Sequence, residues 1–225
     1  MRNELSIVLD HLKQEMEIHR DDANAVNMAA YLKNKFPCYG IQSPMRNKIQ
    51  KKWFREVKKA GIHHWDIALN LWNLEQREYQ YIAVDYLNNV PKKDIHKDDH
   101  HLLEKLITTK SWWETVDLLA TNYVSRYFQK FPEQIRPIIS EWRKSDNIWL
   151  NRTCLIFQLK YNDAVDFELL KDLIREYQQY GEFFIQKAIG WSLRQYSKFN
   201  PEAVKEFIAD IQLKGLAKRE ASKYL

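Results

Sequence analysis

The sequence feature that most constrains the fold is a recurring two-helix pattern from Glu78 onward. An acidic residue begins an apolar helical stretch five times, at intervals of 36, 32, 36 and 38 residues. A second, shorter helical stretch joins each one to the next. The five acids are Glu78, Glu114, Asp146, Glu182 and Glu220. Such a period is typical of an α-solenoid of the HEAT or armadillo kind, whose stacked units form a concave surface.

Composition favours an all-α chain. Five glycines and six prolines in 225 residues, with few alternating β-branched runs, leave little sign of strands. Ahead of the repeats, apolar spacing predicts helices over 4–18 and 23–36, and a third from Ser43, as N-cap, to Gly61. The predicted buried face of this third helix consists of Met45, Ile49, Trp53 and Val57. We expect a single domain over residues 1–225.

Positive charge is concentrated in one segment. Residues 33–59 hold nine basic side chains and one acid, which gives +8, whereas the rest of the chain is −3 within a total of +5. The exposed face of the third helix carries most of them: Lys48, Lys51, Lys52, Arg55 and Lys59. A solvated helix face is one interpretation. A face this one-sided also fits a polyanion, most simply the phosphates of nucleic acid.

Cysteine and histidine positions predict neither a disulfide nor a metal site. Cys38 and Cys154 are far apart and fit no metal-ligand spacing, and the histidines lie in polar segments. Charges interrupt the apolar residues at the start of the chain, so this stretch is predicted to be an amphipathic helix rather than a signal peptide or a membrane span. We expect a cytoplasmic, monomeric protein without cofactors.

The motif SWWETVD, residues 111–117, is the strongest candidate for a site. Ser111 and Glu114 have the spacing of a capping box, which predicts a helix start. Trp113 and Asp117 are then one turn apart on the same face. A core tryptophan beside a solvated aspartate is the simpler interpretation, because aromatic stripes on helices are usually core.

Two later helices repeat the combination of an aromatic ring and an arginine. SDNIWLNRTCLIFQLKY places Trp149 and Arg152 three residues apart and Lys160 two turns beyond Arg152. EFFIQKAIGWSLRQYSKFNP places Trp191 and Arg194 three residues apart. Packing plus a surface ion pair would explain each helix alone. Aromatics are nevertheless 13% of the chain, with eight tryptophans, so we expect some rings to face a ligand.

These blocks resemble those of the AlkD-like DNA alkylation-repair glycosylases, a HEAT-like repeat family. NMAAYLKNKFPCYGIQSPMR also resembles the family's N-terminal DNA-contacting helix and loop. The resemblance extends over nearly the whole chain in the same order. It implies a concave DNA-binding face, double-stranded DNA with alkylated bases as the partner, and removal of cationic purines such as N3-methyladenine and N7-methylguanine.

The resemblance also implies roles for individual residues. Asp117 falls on the catalytic aspartate, Trp113 and Trp191 on aromatic residues around the damaged nucleotide, and Arg152 on the nearby arginine. Positions expected to contact DNA are Tyr31, Gln42, Lys160 and Arg194. Glu114 stands where an aspartate is expected, and a capping role tolerates either.

The chemistry fits these residues. A cationic alkylpurine is a good leaving group, and a carboxylate can stabilise the oxocarbenium ion that forms on the sugar. A monofunctional glycosylase is expected, because no lysine matches the core of the site and Lys160 is assigned to phosphate. Two alternatives are a non-catalytic DNA-binding paralogue and a helical scaffold for an acidic protein.

Overall fold

The computed structural model of the protein describes residues 2–225, with side chains from residue 4 onward, and every regular element in this range is helical. The helices form two compact units, one ending at Pro91 and one beginning at Lys92. The expectation of one domain over residues 1–225 stays a prediction. The first unit contains α1 (Arg2–Ile18), α2 (Asp22–Tyr31), α3 (Ser43–Ala60), α4 (His64–Asn73) and α5 (Arg77–Asn88).

The second unit begins with α6 and a long helix that includes a π-helical segment. Its main elements are α6 (Asp99–Thr108), α7 (Trp113–Leu118), the π segment (Leu119–Val124), α8 (Ser125–Lys130), α9 (Ile135–Trp142), α10 (Ile148–Ile156), α11 (Phe167–Tyr177), α12 (Phe183–Tyr196), α13 (Pro201–Asp210) and α14 (Gly215–Ala221). The chain is helical without a break from residue 113 to residue 130.

In the first unit, α3 is amphipathic as predicted. Ile49, Trp53 and Val57 are buried, and the Trp53 indole donates to the carbonyl of Val8 on α1 at 2.6 Å. Gly61 ends the helix with φ +63°, which glycine adopts without strain. Met45 was wrongly assigned to the buried face, because it lies in the first turn and is 38% exposed. Ser43 is the first helical residue, and Gln42 occupies the N-cap position.

The second predicted helix is shorter than expected. It ends at Tyr31 rather than at 36, because Lys33 and Asn34 adopt left-handed backbone angles. Their N–H groups bond to the carbonyls of Ala30 and Ala29 and so complete the last turn of α2.

A buried carboxylate fixes the loop that follows. Glu78, in the first turn of α5, accepts hydrogen bonds from the backbone N–H groups of Tyr39, Gly40 and Ile41 at 2.9–3.1 Å. Gly40 has φ +86°, and a side chain there would meet the carbonyl oxygen of Asp21 at 2.1 Å. The prediction that a helix starts near Glu78 is confirmed, and the residue anchors the loop leading to Gln42.

In the second unit, helices from successive repeats stack into one layer. α7 contacts α10, α10 contacts α12, and α12 contacts α14, while α9 and α11 pack against α10 and α13 packs against α12. This arrangement confirms the predicted all-α repeat fold. Within residues 2–225, none of the helices is long and apolar enough to cross a bilayer.

Two of the acids that were expected to begin helices do not. The helix expected at Asp146 begins at Ile148, with Asn147 as its cap accepting from the N–H of Trp149 at 3.0 Å. Glu220 lies near the end of α14, one turn beyond its start at Gly215. Asparagine competes with aspartate as an N-cap, so the acid alone does not locate the start.

The capping box predicted at Ser111 and Glu114 is also wrong. The helix begins at Trp113, after an extended Trp112, and no side chain caps it at Trp112. The Ser111 hydroxyl instead donates to the carbonyl of Ile107 at 2.6 Å. It thereby satisfies a carbonyl at the end of α6, which also needs a partner.

Candidate functional site

The second unit contains a cleft of about 320 Å³ formed by residues of four helices, α7, α10, α12 and α14. Five of the predicted site residues line it: Trp113, Asp117, Arg152, Trp191 and Arg194. Stacking of successive repeats brings these side chains together, although 81 positions separate the first from the last. The cleft thus brings together, from three helices, five residues to which the resemblance assigns roles.

Asp117 and Arg152 form a bidentate ion pair at this cleft. Arg152 Nε lies 2.7 Å from Asp117 Oδ1, and Nη2 lies 2.8 Å from Oδ2. The arginine side chain is 5% exposed and the aspartate 14%. A third guanidinium nitrogen, Nη1, donates to the carbonyl of Phe184. Burial raises the pKa of Asp117, while the hydrogen bonds and charge of Arg152 oppose this rise.

The tryptophans divide into core rings and cleft rings. Trp113 and Trp191 are half-buried and line the cleft, whereas Trp142 and Trp149 are at most 9% exposed. Trp149 packs against Trp112 and Phe184, with ring centroids 5.8 and 5.0 Å away. Trp113 and Trp191 are therefore more exposed than the buried rings of Trp142 and Trp149.

Sequence analysis missed four cleft residues: Phe183, Phe184, Lys187 and Glu220. A signal for some of them was present. Phe183, Lys187 and Trp191 follow one another at intervals of four on α12, and Arg194 is three further, so all share one helix face. Phe183 is 56% exposed, which is unusual for a large apolar ring. Glu220 had no such signal, because it comes from another helix.

The π-helical segment begins two residues after Asp117. The Thr121 hydroxyl and the Asn122 amide donate to the carbonyls of Asp117 and Leu118, each at 2.8 Å. A π segment inserts extra backbone into a helix and changes which face the following residues occupy. Trp113 and Asp117, before the segment, line the cleft, whereas Tyr123 within it and Tyr127 after it are buried.

The structure changes the predicted location of Lys160 and adds Lys187 to the cleft. α10 ends at Ile156, so Lys160 is not on that helix; it is exposed, and its ammonium group donates to Asn122 Oδ1. Lys187, in contrast, lines the cleft itself and pairs with Glu220 at 2.9 Å. The expectation that no lysine lies near the site core is wrong. The spacing of Lys187 from Phe183 and Trp191 on α12 could have indicated this, because the three residues share one helix face.

The remaining predicted contact residues belong to the first unit and are exposed. Tyr31 is 64% exposed on α2, a helix without a buried residue, and Gln42 lies just before α3. The four basic residues of the predicted interface are also exposed: Lys48, Lys51, Lys52 and Arg55. Lys52 makes one 3.4 Å ion pair with Glu15. Their roles stay predictions.

No group of three or more His, Cys, Asp and Glu side chains in the described part of the chain is arranged to hold a metal ion. Cys38 is partly buried and Cys154 is buried. Burial raises the pKa of Cys154, so this thiol is suited to packing rather than nucleophilic chemistry.

A family model and a solved structure both relate this chain to the same protein family. A family model described as DNA alkylation repair enzyme matches residues 12–225. A solved structure described as a predicted DNA alkylation repair enzyme from Enterococcus faecalis is 31% identical, with a TM-score of 0.84 over 92% of this chain and 96% of that one. The protein smu.31 from Streptococcus mutans UA159 shares the fold at 18% identity, with a TM-score of 0.60 over 81% of this chain and 96% of that one.

No curated protein matches this chain. The family model nevertheless spans both units, and the relative from Enterococcus faecalis matches 92% of the chain. The protein therefore belongs to the family of DNA alkylation repair enzymes and has a role in the repair of alkylated DNA.

Proposed function

We propose that this protein is a DNA glycosylase that hydrolyses the N-glycosidic bond of cationic alkylated purines, of the N3-methyladenine and N7-methylguanine type, in duplex DNA. The observation that carries the proposal is a carboxylate, Asp117, held at a cleft beside two half-buried tryptophans, Trp113 and Trp191. Membership of the repair family supports a damaged base as the substrate.

The reaction depends on stabilisation of a cation on the sugar more than on protonation of the leaving base by an acid. Alkylation at N3 or N7 makes the purine cationic, so when the C1′–N bond breaks the base keeps the bonding electrons and leaves neutral. Positive charge then develops on the deoxyribose as an oxocarbenium ion. Asp117 would stabilise that ion and orient a water, whose oxygen forms the new bond to C1′ and whose proton passes to solvent.

Arg152 would keep this carboxylate ionised and correctly oriented. Burial alone favours the protonated form, and the two hydrogen bonds from Arg152 favour the anion. Each carboxylate oxygen has further acceptor capacity after receiving one N–H, so the pair leaves Asp117 able to face a sugar or a water. In this role Arg152 positions Asp117.

The cleft also favours a cationic base. The faces of Trp113 and Trp191 offer cation–π attraction worth roughly 0.5–2 kcal/mol each. Undamaged purines would need protonation to leave, and the second carboxylate at the cleft cannot supply a proton, because Lys223 and Lys187 hold the pKa of Glu220 at about 2. The ammonium group of Lys187 is paired with that carboxylate, which disfavours a Schiff base with the sugar and supports a monofunctional enzyme.

The first unit would contribute contacts to the DNA backbone. Lys48, Lys51, Lys52 and Arg55 form an exposed basic face on α3. Tyr31 and Gln42 are exposed on neighbouring segments, and the hydrogen bonds of Glu78 to residues 39–41 fix the loop before Gln42. Phosphate contacts of this kind position a protein on DNA without reading its sequence.

The test is abasic-site formation on a duplex with a single N7-methylguanine, followed by alkaline cleavage and gel electrophoresis under single-turnover conditions. We expect strand scission only after alkali, and none with the matched guanine duplex. Salt-sensitive binding without base release would instead indicate a non-catalytic DNA-binding paralogue. Absence of DNA binding, with binding to an acidic protein, would indicate a scaffold.

A further inference from the structure

A single buried carboxylate forms ion pairs with three cationic side chains at one side of the cleft. The side chain of Glu220, on α14, is 8% exposed. Its Oε1 lies 2.9 Å from Lys187 Nζ, and its Oε2 lies 2.7 Å from Arg194 Nη1 and 2.8 Å from Lys223 Nζ. Lys187 and Arg194 are both on α12, so Glu220 links the two helices and holds both cations near one point.

Close packing of α12 on α14 places Glu220 there. A Cβ atom built at Gly190 would lie 2.4 Å from Glu220 Cβ and 2.9 Å from the carbonyl oxygen of Ala217. Neither distance is compatible with a side chain, so only glycine at 190 permits this approach. The position of Glu220 therefore depends on a specific feature of α12.

The cluster contains more positive charge than the carboxylate requires. One cation would neutralise Glu220, yet three surround it, which leaves a net charge of +2 at the cluster. Lys223 and Lys187 hold the pKa of Glu220 at about 2, so the carboxylate stays ionised at neutral pH. Lys187 and Arg194 line the cleft with Asp117, whereas Lys223 is not among the residues that line it.

We propose that Lys187, to which the sequence assigned no DNA contact, joins the predicted contact residue Arg194 in binding a backbone phosphate next to the target nucleotide, with Glu220 as the residue that positions both cations. The inference rests on the proposed function and adds a substrate contact to the same cleft. A guanidinium offers a planar fork and an ammonium a compact point charge, and both suit phosphate oxygens. Because Lys187 and Arg194 line the same cleft as Asp117, a phosphate held there would belong to a nucleotide that lies at this cleft.

The chain provides a matched control. Lys187 and Lys223 both pair with Glu220, at 2.9 and 2.8 Å, and their side chains are 38% and 48% exposed. Only Lys187 lines the cleft. If the cations serve only to stabilise Glu220, Lys187→Gln and Lys223→Gln should behave alike. If Lys187 binds phosphate, the two variants should differ in DNA binding.

The experiment measures the affinity of wild type, Lys187→Gln and Lys223→Gln for an undamaged duplex across a range of salt concentrations. We expect Lys187→Gln to weaken binding on the order of 3- to 10-fold and to lower the slope of log K against log[salt] by about 0.9, with Lys223→Gln close to wild type. Equal slopes for Lys187→Gln and Lys223→Gln would overturn the phosphate site. Thermal unfolding of both variants identifies any loss of binding that follows from loss of structure.

A second measurement locates the phosphate and is independent of folding. Replacing single phosphates beside N7-methylguanine by neutral methylphosphonates should slow excision by wild type at one position. On the duplex modified at that position, Lys187→Gln should excise the base no more slowly than wild type does. If losses from the DNA change and from Lys187→Gln multiply at every position, the proposed contact is wrong. The salt experiment uses undamaged DNA, so its result for the phosphate contact does not depend on base release. If no base is released, the glycosylase proposal fails, but the phosphate contact is still tested.

Discussion

Both carboxylate oxygens of Asp117 accept hydrogen bonds from Arg152, 35 positions later in the chain, at 2.7 and 2.8 Å. The pair joins α7 to α10, so it links two successive repeats, and both residues line the cleft. A bidentate pair fixes the plane of the carboxylate. It also makes each partner dependent on the other, because both are largely removed from water.

We expect Arg152→Leu to lower the free energy of unfolding by about 3–5 kcal/mol, because it leaves a buried carboxylate without its counter-charge. The double variant Asp117→Asn with Arg152→Leu should recover part of this loss. Arg143→Leu is the control, since its partners Asp172 and Glu176 are 58% and 34% exposed, and each pair should contribute at most about 1 kcal/mol. Denaturant unfolding of wild type, Asp117→Asn, Arg152→Leu, the double variant and Arg143→Leu measures the coupling, and additive losses would show that Asp117 and Arg152 act separately.

Replacing Trp113 or Trp191 with Leu should slow excision of N7-methylguanine about 2- to 30-fold, the equivalent of roughly 0.5–2 kcal/mol of lost cation–π attraction. Phe should give intermediate rates. Trp149→Leu is the control, because Trp149 is buried and should mainly lower the Tm. Single-turnover excision and thermal unfolding are measured on the same variants. Activity that falls only in proportion to stability would show that neither ring acts on the nucleotide.

The elements that sequence predicted well are those with local signals. The apolar stripe of α3, its Pro44 and its Gly61 all lie within one helix, and its bounds of Ser43 and Ala60 follow from them. Trp113 and Asp117 share a face because they are one turn apart. Local signals gave the wrong result where two hydrogen-bonding roles competed for one side chain. The Ser111 hydroxyl donates to a carbonyl at the end of α6 instead of capping the start of α7.

The parts of the cleft that sequence did not predict depend on packing between distant helices. Glu220 meets Arg194 across 26 positions and Lys187 across 33, and no periodicity within α14 indicates this. The error at Lys160 is different. The sequence predicted that α10 continues past Ile156 and so assigned Lys160 to a helix face, but the helix ends at Ile156. The i, i+4 spacing of Phe183, Lys187 and Trp191 could have been recognised from the sequence.

Neutralising Lys48 and Lys51 on α3 should weaken binding to every duplex alike and lower the slope of log K against log[salt] by about 0.9 for each lost contact. Phosphates carry no sequence information, so the preference for the lesion should not change. Lys205→Gln on α13 is the control, because this lysine makes an exposed ion pair with Glu202 and lies outside the predicted interface. An unchanged slope would mean that the basic face is only solvated.

Excision should fall at acidic pH because the carboxylate of Asp117 is the active form. Burial raises its pKa above the usual aspartate value, so protonation, and with it the loss of rate, should begin at a higher pH than for an exposed aspartate. The rate should be constant above this range. A pH profile of single-turnover excision, corrected for spontaneous depurination, measures the acidic limb. A profile flat down to the pKa of an ordinary aspartate would contradict the assignment.

The most direct test of the account is single-turnover release of N7-methylguanine by Asp117→Asn beside Asp172→Asn. Asn keeps the size of the side chain and removes its charge, and Asp172 pairs with an arginine outside the cleft. We predict that Asp117→Asn lowers the rate on the order of 10²-fold or more with duplex affinity little changed, while Asp172→Asn stays near wild type. Wild-type excision by Asp117→Asn would contradict the proposed mechanism.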